Sequence, residues 1–279
     1  MIGITSLMDW PGKYTTWTSE RTLFISAPFT WELTTIRREI MQRSLFWDEV
    51  IIGGPAVKLM PGYFDDLMFV TVQNYYPGVL QRINPLATRT TTGCVNKCGF
   101  CGVPVIEGGM VELADWPDLP VICDNNLLAA SIAHFDRVID RLIPHGWANF
   151  NQGIDARRLT DYHAMRIAEI KDPMVYLALD NIAYRDSWEC AYDRLRAAGL
   201  FKRQIRSYAI VGFNSDPQEA WDRCQFIEAH GVKAMPQWFH ALDQLEHNVV
   251  TERQAALGWN DYERRKVMQW FYKHKHAVK

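Results

Sequence analysis

The sequence predicts an α/β protein in which six βα-like units form a parallel sheet curling toward a partial (β/α)6, TIM-like barrel, preceded by a small βαβ region. Three observations predict it. From Arg89 onward, short β-rich runs begin at residues 89, 119, 148, 174, 207 and 232, about 25 to 33 residues apart, roughly the length of one strand–helix repeat. The intervening stretches have helical periodicity with start and stop signals. Hydrophobic residues make up 48% of 279, ample for a buried core.

The elements follow in order. Residues 1–85 form the first region. Thr22–Ser26 and Glu49–Ile52 read as parallel strands, joined by a helix near Thr30–Arg43 that carries Ile36 and Ile40. Gly53-Gly54-Pro55 then turns the chain. Residues 86–250 form the barrel, with strands at Arg89–Thr92, Leu119–Cys123, Ala148–Asn151, Met174–Leu179, Ser207–Val211 and Val232–Trp238. Leu128, Ile132, Phe135, Ile139 and Leu142 share a face in a helix over Asn126–Ile143, which Pro144-His145-Gly146 ends. Thr160 caps a helix through Ile170, and another runs from near Asp186 to Gly199. Asp216, Pro217 and Glu219 open a fourth with a capping box, and Gly231 closes it. Between the first two strands, Val105–Asp118 shows no clear helix. Residues 251–279 read as a basic, aromatic C-terminal helix with Arg264, Arg265, Lys266, Lys273, Lys275 and Lys279 around Trp270, Phe271 and Tyr272. Such a tail can contact nucleic acid; the alternative is aromatics packed on the barrel with solvated lysines.

The densest chemistry is Cys94, Cys98 and Cys101, spaced Cys-x3-Cys-x2-Cys, with Phe100 before the last. A structural zinc site needs four closed ligands, usually in pairs, yet no second pair follows: the next cysteine is Cys123 and the nearest histidine His134. Six cysteines in a chain of this length are not a disulfide framework. Three unrelated buried thiols are at odds with Gly93, Gly99 and Gly102, which let the loop turn its side chains toward one object. Three thiolates on one loop suit a cubic iron–sulfur cluster with one iron left open.

The run Cys94-x3-Cys98-Gly99-Phe100-Cys101, continuing into Gly102-Val103-Pro104, resembles the signature loop of the radical S-adenosylmethionine (SAM) superfamily. The resemblance implies a partial barrel of the radical SAM type and a [4Fe–4S] cluster on Cys94, Cys98 and Cys101. It implies SAM on the open iron and Phe100 against the adenine. The reaction it implies begins with reductive cleavage of SAM to a 5′-deoxyadenosyl radical, which abstracts hydrogen from an organic substrate. An external one-electron reductant of the flavodoxin or ferredoxin type would supply the electron. Residues 1–85 resemble a reduced form of the cobalamin-binding-like domain that precedes many such barrels. Cobalamin itself is not expected: the first histidine is His134, so no axial histidine comes from this region.

In parallel barrels, sites form at the C-terminal ends of the strands. There the resemblance implies Asp124 and Asn125 near the SAM amine, although the usual Gly-Gly-Glu is missing; helix capping is the alternative. Asn151, Gln152 and Arg157 follow the third strand, in a string similar to one in radical SAM proteins of unassigned function, some phage-encoded. The Arg157 guanidinium suits a carboxylate of SAM or substrate; a salt bridge with Asp155 is the alternative. Asp180 is matched to ribose hydroxyls, or to a turn. Gly212 and Gln237 are placed near adenine, though Tyr208 replaces the first glycine of the family's Gly-x-Ile-x-Gly pattern. Cys123 is either a catalytic thiol or a buried one.

A formal charge of −2 gives no global basic field for nucleic acid. No apolar stretch approaches membrane-spanning length, and Met1 to Pro11 lacks the features of a signal peptide. A reducing cytoplasm fits the cysteine usage. Cys123, Cys190 and Cys224 are too scattered for a second cluster, which disfavours sulfur insertion. The competing functional class is a non-catalytic iron–sulfur or zinc protein with a structural or redox-sensing loop and possible nucleic-acid contact. The sequence does not name the substrate.

Overall fold

A computed structural model describes residues 10, 12–74 and 76–273. The stretch read for an export signal lies outside these apart from Trp10, as do Lys275 and Lys279 of the basic tail. The chain divides into two compact units. One comprises the described residues of Met1–Ala87 with Lys97–Gly108 and His240–His247; the other comprises Thr88–Asn96, Gly109–Phe239 and the described residues of Asn248–Lys279.

The smaller unit is built on a four-stranded sheet in the order β1-β2-β3-β4. Strands β2 (Thr22–Ser26) and β3 (Glu49–Gly53) pair in parallel, as the sequence predicts. Their connection is α1 (Leu33–Gln42), which buries Leu33, Ile36 and Ile40. The sequence reading missed β1 (Thr15–Ser19), antiparallel to β2, and β4 (Val70–Val72), parallel to β3. Both are edge strands that leave much of their length exposed, so neither carries a strong apolar alternation. Short helices α2 (Pro55–Leu59) and α3 (Val79–Ile83) complete the region before Ala87.

The larger unit holds a six-stranded sheet in chain order: β5 (Ala87–Thr88), β8 (Val121–Ile122), β9 (Trp147–Ile154), β10 (Asp172–Ala178), β11 (Ile205–Val211) and β12 (Lys233–Trp238). Pairings from β8 through β12 are parallel. Helices α5 (Ile132–Leu142), α6 (Asp161–Ala168), α7 (Arg185–Ala197) and α8 (Pro217–Ala229) make the crossovers. An order without reversal places right-handed crossovers on one face of the sheet. Burial agrees with this. Val175, Leu177, Ala209 and Val211 join the helical core with Phe135, Ile167, Trp188 and Ile227, while the alternate residues Tyr176, Ala178, Tyr208 and Ile210 stay half-buried on the opposite face. Tyr176 and Tyr208 stack there, with ring centroids 5.0 Å apart.

Several elements follow their sequence signals. Thr160 caps α6 by accepting the His163 N–H, and Asp216 caps α8 by accepting the Glu219 N–H at 2.8 Å. The expected capping box of α8 is only half formed, because Glu219 turns its carboxylate to Arg223, 3.0 Å away. The helix predicted from Asn126 starts later, at α5, since the Ser131 hydroxyl accepts the His134 N–H and sets the first turn. At the chain end, α9 (Glu252–Ala256) and α10 (Asp261–Lys273) replace one continuous helix; Val267 and Phe271 are buried while Trp270 and Tyr272 are exposed. Among the described residues no helix is long and apolar enough to cross a membrane.

One expectation is corrected. The first strand of the large sheet, β5, lies just before the predicted Arg89–Thr92. Within that range only β6 (Thr91–Thr92) is a strand, and it pairs antiparallel with β7 (Val111–Glu112), inside the predicted helix-free excursion. Between β5 and β6 a side chain takes the backbone donors that would extend the ladder: the Asp124 carboxylate accepts the N–H groups of Thr90 at 2.6 Å and Thr91 at 2.9 Å.

Candidate functional site

Asp124 leaves β8 and turns inward, 3% exposed. Besides the two N–H groups, its carboxylate accepts the Thr90 hydroxyl. Because that hydroxyl donates to Asp124, it must accept from His134 Nε2, 3.1 Å away. His134 Nδ1 is then the acceptor for the Arg137 guanidinium at 3.2 Å. The result is a polarised chain, Arg137 to His134 to Thr90 to Asp124, running from cation to anion. Burial pushes the Asp124 carboxyl above its ordinary value despite the Thr90 and Thr91 donors, and pushes His134 below its own. In this structure Asp124, predicted at the SAM amine, anchors the backbone that delivers Cys94.

Beyond Thr92, Cys94 sits half-buried among strand-end polar groups. Its Sγ accepts the backbone N–H of Asn96 at 3.4 Å and lies 3.9 Å from the Asn126 amide nitrogen. Both asparagine amides also donate to one carboxylate oxygen, Asp155 Oδ2, at 2.9 Å from Asn96 and 3.3 Å from Asn126. Arg157 grips the same carboxylate in a fork, Nε to Oδ1 and one terminal nitrogen to Oδ2, each at 2.8 Å. It also lies over the Tyr184 ring at 4.7 Å. Burial raises the Asp155 pKa, but donors from Arg157 and Asn96 outweigh it and hold the carboxyl below the usual aspartate value. Asn125 donates its amide to Gly93 O at 3.3 Å, steadying the residue before Cys94.

The other predicted residues gather at the same strand ends. Asn151 and Gln152 lie on an irregularity of β9, where four residues span what two cover on β10. Gly153 makes this possible with φ of 92°, its α-carbon facing the carbonyl of Tyr176 and the ring of Tyr208. The carbonyl of Asn151 accepts the Tyr208 hydroxyl at 3.0 Å, and Gln152 is exposed. Asp180, one residue past Leu179, accepts the Ile210 N–H at 2.8 Å; burial holds its carboxyl above the ordinary value, against the charges of Arg223 and Arg157. Asn181 is the turn residue, accepting the Ala183 N–H. Gly212 packs against the face of Trp238, and its carbonyl accepts from Gln254. Gln237 is exposed on β12. Cys123 is 5% exposed, and burial pushes its thiol up to about 12, so it stays protonated at neutral pH.

In the smaller unit, Cys98 and Cys101 flank a tight turn closed by the Cys101 N–H to Cys98 O bond at 3.0 Å. Phe100 stands half-buried inside the turn, and α4 (Val103–Ile106) follows directly. Lys58 ties the end of α4 to α2 by donating to Ile106 O at 3.2 Å.

Among the described residues no three His, Cys, Asp or Glu side chains are gathered closely enough to hold a metal ion. The fit to an iron–sulfur group therefore lies in donor chemistry. Cys94 Sγ faces two N–H donors, and Cys98 and Cys101 are offered from one short turn.

Three contributors escaped the sequence reading. Asn96 and Asn126 carry no local signal, and only their convergence on Asp155 reveals their part. Arg223, 1% exposed, reaches from α8 to Leu179 O at 2.8 Å and holds the end of β10 beside Asp180. Its signal was present: it is a charged residue on the apolar stripe formed by Ala220, Cys224 and Ile227. The chain matches no protein-family model, and the search of curated proteins found no match.

Proposed function

We propose that the protein is a radical SAM enzyme. The observation that carries this reading is the Cys94-x3-Cys98-x2-Cys101 loop, leading away from the first strand of a parallel sheet whose strands follow chain order. A sheet of that order, with helices on one face, supports a partial (β/α)6 barrel with its site at the C-terminal strand ends. Cys94, Cys98 and Cys101 would hold a [4Fe–4S] cluster. When bound, such a cluster supplies the electron that cleaves the SAM sulfonium and starts radical chemistry at a C–H bond.

The chain's own residues have separable tasks in this reading. Asp124, through Thr90 and Thr91, fixes the backbone entering the loop. Asn125, Asn151, Gln152, Asp180 and Gln237 offer polar groups at strand ends for the amine, ribose and adenine of SAM. Arg157, beside these strand ends, is the carboxylate partner of SAM or an acidic substrate. Phe100 supplies an apolar face. A flavodoxin- or ferredoxin-type protein is the reductant, and a reducing compartment suits the exposed thiol of Cys190.

The test is anaerobic reconstitution with iron and sulfide, followed by dithionite and SAM. Formation of 5′-deoxyadenosine is the expected result, abolished together with the brown chromophore by Cys98→Ala. A preparation with full iron and sulfide content that leaves SAM intact overturns the enzyme assignment.

A further inference from the structure

We infer that Asn126 and Asp155 are positioning residues for the Cys94 sulfur, with Asn126 supplying a side-chain N–H to it and Asp155 locking Asn126 in place. The inference rests on the cluster reading and goes beyond it by assigning control of one ligand.

The geometry carries the argument. Asn126 is 3% exposed, and its amide nitrogen has two hydrogens and two acceptors, Cys94 Sγ at 3.9 Å and Asp155 Oδ2 at 3.3 Å. Its carbonyl oxygen is buried with no hydrogen-bond partner among the described residues. Leaving a buried acceptor orphaned is unfavourable. The reverse orientation is worse, since it would set that oxygen against the Asp155 carboxylate. The amide is thus oriented by its donor end, toward sulfur and carboxylate, at the expense of its acceptor. Asp155 is in turn held by the Arg157 fork, the Arg157 backbone N–H at 3.2 Å and the Asn96 amide. Asn96, fixed by its side chain on the same Asp155 oxygen, aims its backbone N–H at the same sulfur. One carboxylate therefore organises both donors that face Cys94.

Hydrogen bonds to ligating sulfurs draw charge from the metal centre and raise its reduction potential, and removing such outer partners weakens metal binding by roughly 10–100-fold. The test compares reconstituted wild-type protein with Asn126→Leu, which keeps the volume and removes the N–H groups, and Asn126→Gln, which keeps an amide on a longer arm. Circular dichroism confirms folding. Iron retention against a chelator, the electron paramagnetic resonance spectrum of the reduced cluster and its midpoint potential are the readouts. The expected result is about tenfold weaker iron retention and a more negative potential in Asn126→Leu, partial recovery in Asn126→Gln, and weaker iron retention in Asp155→Asn. Wild-type retention and potential in Asn126→Leu, with the cluster lost in Cys98→Ala, overturn this inference alone. If Asn126→Leu does not fold, wild-type iron retention in Asp155→Asn overturns it. Wild-type protein that assembles no cluster overturns the cluster reading and the inference with it.

Discussion

Replacing Asp124 by alanine tests the anchor that delivers the cysteine loop. The substitution strands three buried donors: the N–H groups of Thr90 and Thr91 and the Thr90 hydroxyl. Leaving each unsatisfied costs about 1–3 kcal/mol. Burying the carboxylate is itself unfavourable, as its raised pKa shows, and alanine relieves that cost. The backbone N–H groups are fixed by the fold and cannot turn elsewhere, and the Thr90 hydroxyl keeps only the His134 ring as a partner. The net loss is about 3 kcal/mol, and Asp124→Asn, which keeps one acceptor for the backbone, loses about half of it. Urea denaturation of the apo-protein measures the loss. Hydrogen exchange locates it, with the peptide spanning Thr88–Gly93 exchanging faster. A loss under about 1 kcal/mol, with exchange at Thr90 and Thr91 unchanged, refutes the anchoring role.

Two other perturbations probe the framework. Gly212 has φ of 81°, and a Cβ there would lie 2.6 Å from Cζ3 of Trp238. Gly212→Ala therefore combines a left-handed backbone cost of about 1–2 kcal/mol with ring displacement of about 1–3 kcal/mol. The expected destabilisation in urea is about 2–5 kcal/mol, and a near-neutral variant contradicts the packing. Burial depresses the pKa values of both His134 and His163 below the ordinary histidine value of about 6.5. The unfolded chain then binds more protons than the folded one just below pH 6.5, so stability falls as pH drops through that window. The double variant His134→Gln, His163→Gln flattens this slope in a pH series of melting curves; an unchanged slope places the protons elsewhere.

How much was legible in the sequence differs between local and distant contacts. Thr160 and Asp216 were readable as caps because a cap bonds to an N–H three residues away, within one window of sequence. The strands at β9 to β12 were readable from their apolar, β-branched runs. The break between β5 and β6 was not, because its cause is a carboxylate 33 and 34 residues away. The same distance hid the site's second layer. Nothing local distinguishes Asn126 from an ordinary loop asparagine, since its partners are Cys94 and Asp155, 32 and 29 residues off.

By itself, then, the sequence determined the α/β class, the order of the repeats and the three-cysteine loop, since these rest on periodicity, short-range capping and spacing within eight residues. Tertiary structure alone decided what those residues touch. It committed Asp124 to the backbone before Cys94, paired Arg157 with Asp155, and brought two asparagine side chains onto one carboxylate. The physical reason is that a buried polar group is satisfied by whatever the fold brings within about 3 Å, and that neighbour is chosen by strand register rather than by position in the chain.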